Sequence, residues 1–423
     1  YIIETSVNSG IDKNIVVLGH GKEKVGHNIK DMNVISVEQP IGEGVPYGTG
    51  YAVMAAENYI DDEDMVLILC ADGPLIRRET LVDFMNYHSE NNYAVSVMTA
   101  DLNNPKGYGR ILRKVDKSID KIVEEKDASE EIKNITEINT GIYCFKGKLL
   151  KYALKRITTD NSQNEYYLTD TVRVLNSDGF KTGGWLLKDA DDIKAVNDRV
   201  QLAEATKIMQ KRINEKHMYS GVTIIDPDNT YIEDTVIIGR DTVIYPNTYL
   251  EEGTVIGSHC IIGPNSRIIN STVKNNVTVE NSKVIESVID DGTTVGPFSY
   301  LRPGSSLGKN VKIGDFVEVK KSTIGDNSKS SHLAYIGDAE VGKNVNIGCG
   351  VVFVNYDGKN KHKTIVGDGA FVGSNSNLVA PVTVEEGGYV AAGSTITENV
   401  KQGDLAIARA RQVNKEGKGK NRF

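Results

Sequence analysis

Arg302 and Lys320 stand eighteen residues apart, and His332 and Tyr335 follow in the segment KKSTIGDNSKSSHLAYIGD (320–338). Arginine and lysine offer several charged donors and tyrosine a neutral one, a set suited to phosphate oxygens. A histidine among such cations is expected to stay neutral near pH 7, because neighbouring positive charge disfavours imidazolium. Neutral imidazole can take a proton from an attacking amine. An exposed histidine is also commonly just a surface residue, so residue type alone leaves both readings open.

A second polar group, Asn355, Tyr356, Asp357, Lys359, Asn360, Lys361 and His362, lies in VNYDGKNKHKTI (354–365). Its composition suits a loop over a binding surface and equally an ordinary solvated loop. Both segments interrupt a repeat. Ile232, Ile238, Ile244, Leu250, Ile256, Ile262 and Ile268 recur every six residues, and the period returns over 295–319 and 366–396. Four residues beyond the aliphatic the side chain is nearly always small, as at Thr242, Thr248, Thr254, Cys260 and Ser266.

A six-residue period matches neither an α-helix nor a hairpin array. It suits a coil of three short strands per turn, each with one aliphatic residue inward. Eighteen residues then make a turn, so Arg302 is expected to stack one turn from Lys320 on the same face. Strands stacked about 4.8 Å apart predict a prism of roughly nine turns and 45 Å over 232–396. Gly239, Gly257, Gly263, Gly308 and Gly314 follow inward residues, where a missing side chain relieves crowding and permits positive φ. An up-and-down barrel or sandwich is disfavoured, because those folds alternate with period two. The repeat does not give the hand of the coil, and the general rule for parallel crossovers predicts a right-handed one. Phe353 and Val366 are thirteen residues apart instead of twelve, so the intervening loop is expected to leave the prism.

Ahead of the repeat, short apolar runs at 15–18, 65–69, 93–97 and 141–145 alternate with amphipathic helical patterns such as 50–57 and 78–87. That alternation predicts an α/β domain with a mainly parallel sheet, whose ligands sit at strand carboxyl ends. Residues 191–216 lack Gly and Pro and read as one long connecting helix. The expected organisation is 1–196 for the first domain, 197–220 for the linker helix and 221–423 for the β-helix with its tail.

At 423 residues the chain exceeds what one core usually serves. A net charge of −8 gives no electrostatic reason to expect binding to nucleic acid or a membrane surface. Cys70, Cys144, Cys260 and Cys349 form no C-x-x-C pair, so neither zinc nor a disulfide framework is signalled, and a reducing cytoplasm fits. No apolar run reaches the ~20 residues that span a bilayer. Tyr1–Glu4 reads like the middle of a helix, so a segment upstream is expected.

Residues 330–364, SSHLAYIGDAEVGKNVNIGCGVVFVNYDGKNKHKT, closely resemble the bifunctional bacterial GlmU family, and the resemblance extends over nearly the whole chain. That family joins a glucosamine-1-phosphate N-acetyltransferase to an N-acetylglucosamine-1-phosphate uridylyltransferase. The resemblance implies a Rossmann-like α/β nucleotidyltransferase followed by a left-handed parallel β-helix, against the general rule of handedness. It makes His332 the general base for attack of the sugar amine on acetyl-CoA. It assigns Arg302, Lys320, Tyr335, Asn346, Asn355, Tyr356 and Lys361 to glucosamine-1-phosphate. Cys349, Ser374, Ala392 and Arg409 fall at acetyl-CoA positions. A homotrimer is implied, with acetyl-transfer sites between prisms. Cys349 departs from the family's alanine and reads either as a small, buried, inert thiol or as a bulkier group that tightens the acetyl-CoA pocket.

In the first domain Gln39 and Gly48-Thr49-Gly50 resemble a uracil-binding loop, with a longer PIGEGVPY between them. Asp72 ends the run MVLILCAD beside Cys70 and Ala71, and by resemblance Asp72 and Asn197 hold Mg²⁺, an ion that favours hard oxygen ligands. Gly109, Glu124 and Asn139 match sugar-binding residues, and UTP is the implied nucleotide. The family's glycine-rich L-x-x-G-x-G-T-R-M loop has no counterpart in the sequence. The chain as written is therefore expected to transfer uridylyl groups weakly or not at all while keeping acetyl transfer.

Three other readings compete. A monofunctional nucleotidyltransferase with a structural β-helix is opposed by the His332 cluster. A hexapeptide acyltransferase for another acceptor is opposed by the match through Tyr335, Asn346 and Tyr356. A scaffold or regulatory subunit would not need Arg302, Lys320, His332 and Arg409 together.

Overall fold

The computed structural model describes residues 1–419; residues 420–423 of the expected tail lie outside them. The chain forms two compact units, Tyr1–Thr206 and Lys207–Phe423.

In the first unit β1 (Ile15–Leu18) pairs in parallel with β2 (Ile35–Glu38). A six-stranded sheet follows, from β3 (Met65–Ile68), β4 (Val95–Asp101), β5 (Arg110–Arg113), β6 (Ile119–Val123), β7 (Glu137–Lys146) and β8 (Thr182–Leu186). Alternation along β4 sends Val95 and Val97 into one apolar cluster and Met98 and Ala100 into another. Helices Gly147–Leu154 and Asp170–Ser177 supply Leu150, Leu154, Val172 and Leu175 to the first cluster, and helix Arg78–Asn91 supplies Leu81 and Phe84 to the second. With both faces covered, every residue of β4 but Asp101 is buried.

The expectation of a mainly parallel sheet needs one correction. β7 lies in the middle and runs antiparallel to β3, β4 and β5, whereas β4 and β8 are parallel. Ten buried or half-buried residues look alike in either direction, so strand polarity is invisible in the pattern. The connecting helix also begins later than 191. Asp189 accepts from the Asp191 N–H, the Val196 N–H is drawn to the Asp72 carbonyl, and the helix runs Arg199–Tyr219 behind an Asp198 carboxylate that takes the Val200 and Gln201 N–H groups.

The second unit is a prism of parallel strands in sheets of ten, nine and eleven strands, running from Thr223 to Ala406 and so extending beyond 232–396 at both ends. Ile244, Leu250, Ile256, Ile262 and Ile268 point inward and are at most 1% exposed, each contributing about 1.5–3 kcal/mol by burial. The small residues between them carry hydroxyls for a reason. Thr242 donates to the Gly257 carbonyl, Thr248 to Tyr245 and Thr254 to Glu251, satisfying corner groups that would otherwise be buried unpaired.

Of the five corner glycines named above, only Gly263 has positive φ. The others are there because the next coil is too close. A Cβ on Gly314, for example, would lie 2.0 Å from the Ser331 carbonyl oxygen. At the first end of the prism Ile213 of the long helix joins the core, while Gln210 and Asn214 donate to the carbonyls of Pro227 and Thr230.

Among the described residues one inward position in the aliphatic columns of the prism strands carries a polar side chain. Ser330 pairs between Ile313 and Ile347, is buried, and its hydroxyl has no hydrogen-bond partner among the described residues. A buried hydroxyl without a partner costs about 1–3 kcal/mol. Ser330→Val, the residue type at Val279 and Val295 in the same column, is expected to raise the denaturation midpoint by an amount worth about 1–2 kcal/mol. Urea unfolding would check it, and a fall in stability would show that the hydroxyl is satisfied.

Candidate active sites

In the prism, Leu301 pairs with Val319 and Lys320 with Gly337, so Arg302, Lys320 and Gly337 stack in one outward column as the repeat predicts. The guanidinium of Arg302 is taken by Glu318 at 2.8 Å. The ammonium of Lys320, only 12% exposed, lies 3.9 Å from Asp338. Asn355 donates to Asp338 and lies 3.4 Å from the Tyr335 hydroxyl. A Cβ on Gly337 would meet the Tyr335 hydroxyl at 2.5 Å and the Asn355 amide at 2.8 Å, which is why this strand position is bare.

The segment after Val352–Val354 leaves the prism as expected. It is a small hairpin in which Tyr356 bridges Lys361, and the His362 N–H returns to the Asn355 carbonyl. Asp357 fixes its tip by accepting from the Asn360 and Lys359 N–H groups and from His362, and the Asn360 bond, then His362, hold its pKa down at about 2. The hairpin returns Lys361 to Lys320, whose ammonium lowers the pKa of Lys361. Lys320, Lys361, Tyr335 and Asn355 thus lie together.

His332 stands at the corner after strand Lys329–His332. Its Nδ1 is 3.4 Å from Asp315, its register partner on the preceding coil. The imidazole expected near a cationic cluster thus also has a carboxylate beside it. Reading on through Ser330, Ile347, Val372 and Val390, the positions two residues later are His332, Cys349, Ser374 and Ala392, one continuous column along the prism corner. Gly348 and Gly373 let the coils close up, since a Cβ there would lie 2.6 Å from Ser374 N and 2.5 Å from Ala392 N. Arg409 packs near Gly393 at the column's end. Cys349 is exposed between Gly348 and Gly350, against the reading of a buried thiol.

Asn346 does not join the Lys320 pocket. It belongs to strand Asn346–Ile347, beside Lys329 on a different sheet of the prism. With Asn310, Asn327, Lys329 and Asn344 it lines an open polar depression of about 530 Å³. Sequence reasoning missed Asp315, Glu318 and Asp338, the carboxylates that partner His332, Arg302 and Lys320.

In the first unit, the Gly109 carbonyl accepts from the Asn139 N–H at 2.8 Å, and a Cβ on Gly109 would lie 3.4 Å from a Glu124 oxygen. Glu124 bonds Thr169 and Asn139 bonds the buried Tyr143 hydroxyl, while burial raises the pKa of Glu124. These three sugar candidates therefore meet. Cys70, whose sulfur lies 3.6 Å from the Gly141 carbonyl, sits next to them. Although the residue reaches solvent, protein atoms crowding the sulfur, and then Asp72, push its pKa up to about 11.

Ala71 and Asp72 are exposed past the end of β3, and the Val196 N–H on the Asp72 carbonyl at 2.9 Å brings Asn197 alongside. At the start of helix Thr49–Ala55 the Thr49 hydroxyl accepts from the Leu168 N–H. Gly48 and Gly50 are forced by the Tyr166 backbone, whose carbonyl oxygen a Cβ would meet at 2.5 and 2.9 Å. Gln39 follows β2, with its amide near Gly19. Among the described residues no group of three or more His, Cys, Asp or Glu could hold a metal, and no helix is long and apolar enough to cross a membrane.

An α/β unit with candidate ligand groups past its strand ends, followed by a three-faced prism with an imidazole–carboxylate pair and two neighbouring lysines, is the layout of a two-domain transferase. The nucleotidyl transferase family profile matches residues 1–222, and that of the EIF2B subunit epsilon LbH domain matches 215–319, consistent with a left-handed β-helix. Proteins called bifunctional protein GlmU from Alkaliphilus metalliredigens and Clostridioides difficile are 54% identical over 419 and 417 residues, in each case 99% of this chain and 90% of the relative. That from Acetivibrio thermocellus is 55% identical over 98% of this chain and 89% of the relative. The chain belongs to the bifunctional GlmU family.

Proposed function

We infer that the chain works in UDP-N-acetylglucosamine synthesis, transferring acetyl from acetyl-CoA to glucosamine-1-phosphate in the prism and uridylyl from UTP to N-acetylglucosamine-1-phosphate in the α/β unit. The observation that carries the first activity is His332, paired with Asp315, at the corner next to the Lys320–Lys361 pocket. The sugar phosphate is held by Lys320 and Lys361 with Tyr335, Asn355 and Tyr356, and by Arg302 when it turns from Glu318. His332 Nε2 takes the amine proton as the nitrogen attacks the thioester carbonyl, and coenzyme A leaves as its thiol. The corner column of Cys349, Ser374 and Ala392, ending near Arg409, carries acetyl-CoA past the base.

In the α/β unit Gly109, Glu124 and Asn139 hold the sugar, and Gln39, Gly48, Thr49, Cys70 and Ala71 face the nucleotide. Asp72 and Asn197 offer the hard oxygen donors Mg²⁺ prefers, a small set that fits an ion keeping waters and phosphate oxygens as its other ligands. When bound, that ion neutralises charge on the triphosphate. We place the functional boundaries at 196 and 220, and the chain in the cytoplasm, which its four free cysteines suit. The test is direct: coenzyme A thiol released from acetyl-CoA with glucosamine-1-phosphate, and pyrophosphate released from UTP with N-acetylglucosamine-1-phosphate. Lack of both products would remove the reading.

We also propose a homotrimer. Asn346 is on another sheet from Lys320, so a pocket using both takes them from two copies. An apolar strip beside His332 supports this. Earlier coils place Asn247, Asn265 and Asn281 at one corner in left-handed conformation, their amides forming a ladder. The following coils place Phe298 and Phe316 there, also at positive φ, stacked at 5.5 Å and 58% and 61% exposed, with Leu333 beyond. Bulky residues are rare in that conformation, so the strip is retained at a cost. Replacing Phe298 and Phe316 together by Asn keeps the backbone and extends the ladder. The double variant is expected to sediment as a monomer with little acetyl transfer, and an unchanged trimer mass would count against this interface.

A further inference from the structure

We propose that Asp315 is a positioning residue for acetyl transfer, holding the His332 imidazole with Nδ1 protonated and Nε2 free toward the amine. This rests on His332 being the base. The geometry is built by the corner itself. Asp315 and His332 are register partners on adjacent coils, and the Leu333 N–H donates to the Asp315 carbonyl at 2.8 Å. The bare Gly314 allows the approach, since any Cβ there would collide with the Ser331 backbone. Both residues are thereby fixed by main chain on either side, and the Asp315 Oδ2 to His332 Nδ1 distance is 3.4 Å.

The other nearby carboxylates are committed: Glu318 to Arg302, and Asp338 to Lys320 and Asn355. Among the described residues the Asp315 side chain faces the His332 imidazole. The other titratable residues flanking His332 in the fold are Cys349, at the matching corner of the next coil, and Lys329 and Tyr335, three residues to either side in its own. None of these is a carboxylate, so none can both orient an Nδ1–H and stabilise the imidazolium formed when the amine proton arrives. Without Asp315 the ring can flip or take the other tautomer, which presents N–H where an acceptor is needed.

A buried carboxylate in this role is worth about 10⁴-fold in kcat in serine proteases. The Asp315–His332 pair is 46% and 60% exposed, so solvent screening reduces the expected loss to roughly 10-fold. Asp315→Asn is expected to lower kcat by that factor and leave KM for both substrates within about 3-fold. Asp315→Glu should restore part of the rate. The ¹⁵N shifts of the neutral His332 imidazole should report the Nδ1–H tautomer in the parent chain and a mixture of tautomers in Asp315→Asn, a change that a merely structural role would not produce.

Unchanged kcat and an unchanged tautomer in a folded Asp315→Asn protein overturn the inference. His332→Ala run in parallel separates the two claims. If it is inactive while Asp315→Asn is normal, only the positioning role fails; if it is fully active, the base assignment fails with it.

Discussion

His332→Ala is expected to lower kcat for acetyl transfer by about 10²–10⁴-fold, the range that loss of a general base commonly produces. KM for glucosamine-1-phosphate should change little, because its phosphate is held by Lys320 and Lys361 and not by the imidazole. Stability should also be nearly unaltered, since the side chain is 60% exposed and its partner Asp315 stays in contact with water. Whatever uridylyl transfer the chain carries out relies on separate residues and should be unchanged. Coenzyme A release measured at saturating substrate decides the matter, and activity within 3-fold of the parent chain would falsify the base assignment.

How much of this was visible beforehand follows from what a period can encode. The inward aliphatics and the stacking of Arg302 on Lys320 were legible because side-chain direction repeats with the backbone. The hairpin at 354–365 was legible as the place where the period fails. Asp315 was not, although it sits in the same prism. It precedes His332 by seventeen residues, and a strict eighteen-residue phase points to Gly314 instead. The corner between them is one residue short, and only the observed register reveals the pairing.

In the α/β unit, convergence of Gly109, Glu124 and Asn139 depends on β5, β6 and β7 being antiparallel neighbours. Apolar runs do not specify neighbours or direction, so residue matching found these groups before any argument from pattern could. Asn346 shows the converse, because matching assigned it to a pocket that one chain does not assemble.

The largest binding effect is expected at Lys320. Its ammonium is nearly buried, its carboxylate neighbour Asp338 is 3.9 Å away, and Asp338 is shared with Asn355. A charge-assisted contact of this kind is worth about 1.5–3 kcal/mol, so Lys320→Ala should raise KM for glucosamine-1-phosphate roughly 10- to 100-fold with a smaller change in kcat. The pH dependence provides a sharper signature. With the site empty, Lys320 holds the pKa of Lys361 below the usual 10.5. A phosphate dianion between the two ammonium groups favours protonated Lys361 and raises that pKa again, so binding takes up a proton in the alkaline range. Affinity should therefore fall as pH rises through the depressed value and should be insensitive to this group below it. In Lys320→Ala the repulsion is gone, and Lys361 returns toward 10.5. The variant should bind more weakly at neutral pH yet keep its remaining affinity to higher pH than the parent chain. Titrating KM upward from neutral pH in both proteins tests the pair, and parallel alkaline limbs would show that Lys320 and Lys361 do not share the phosphate.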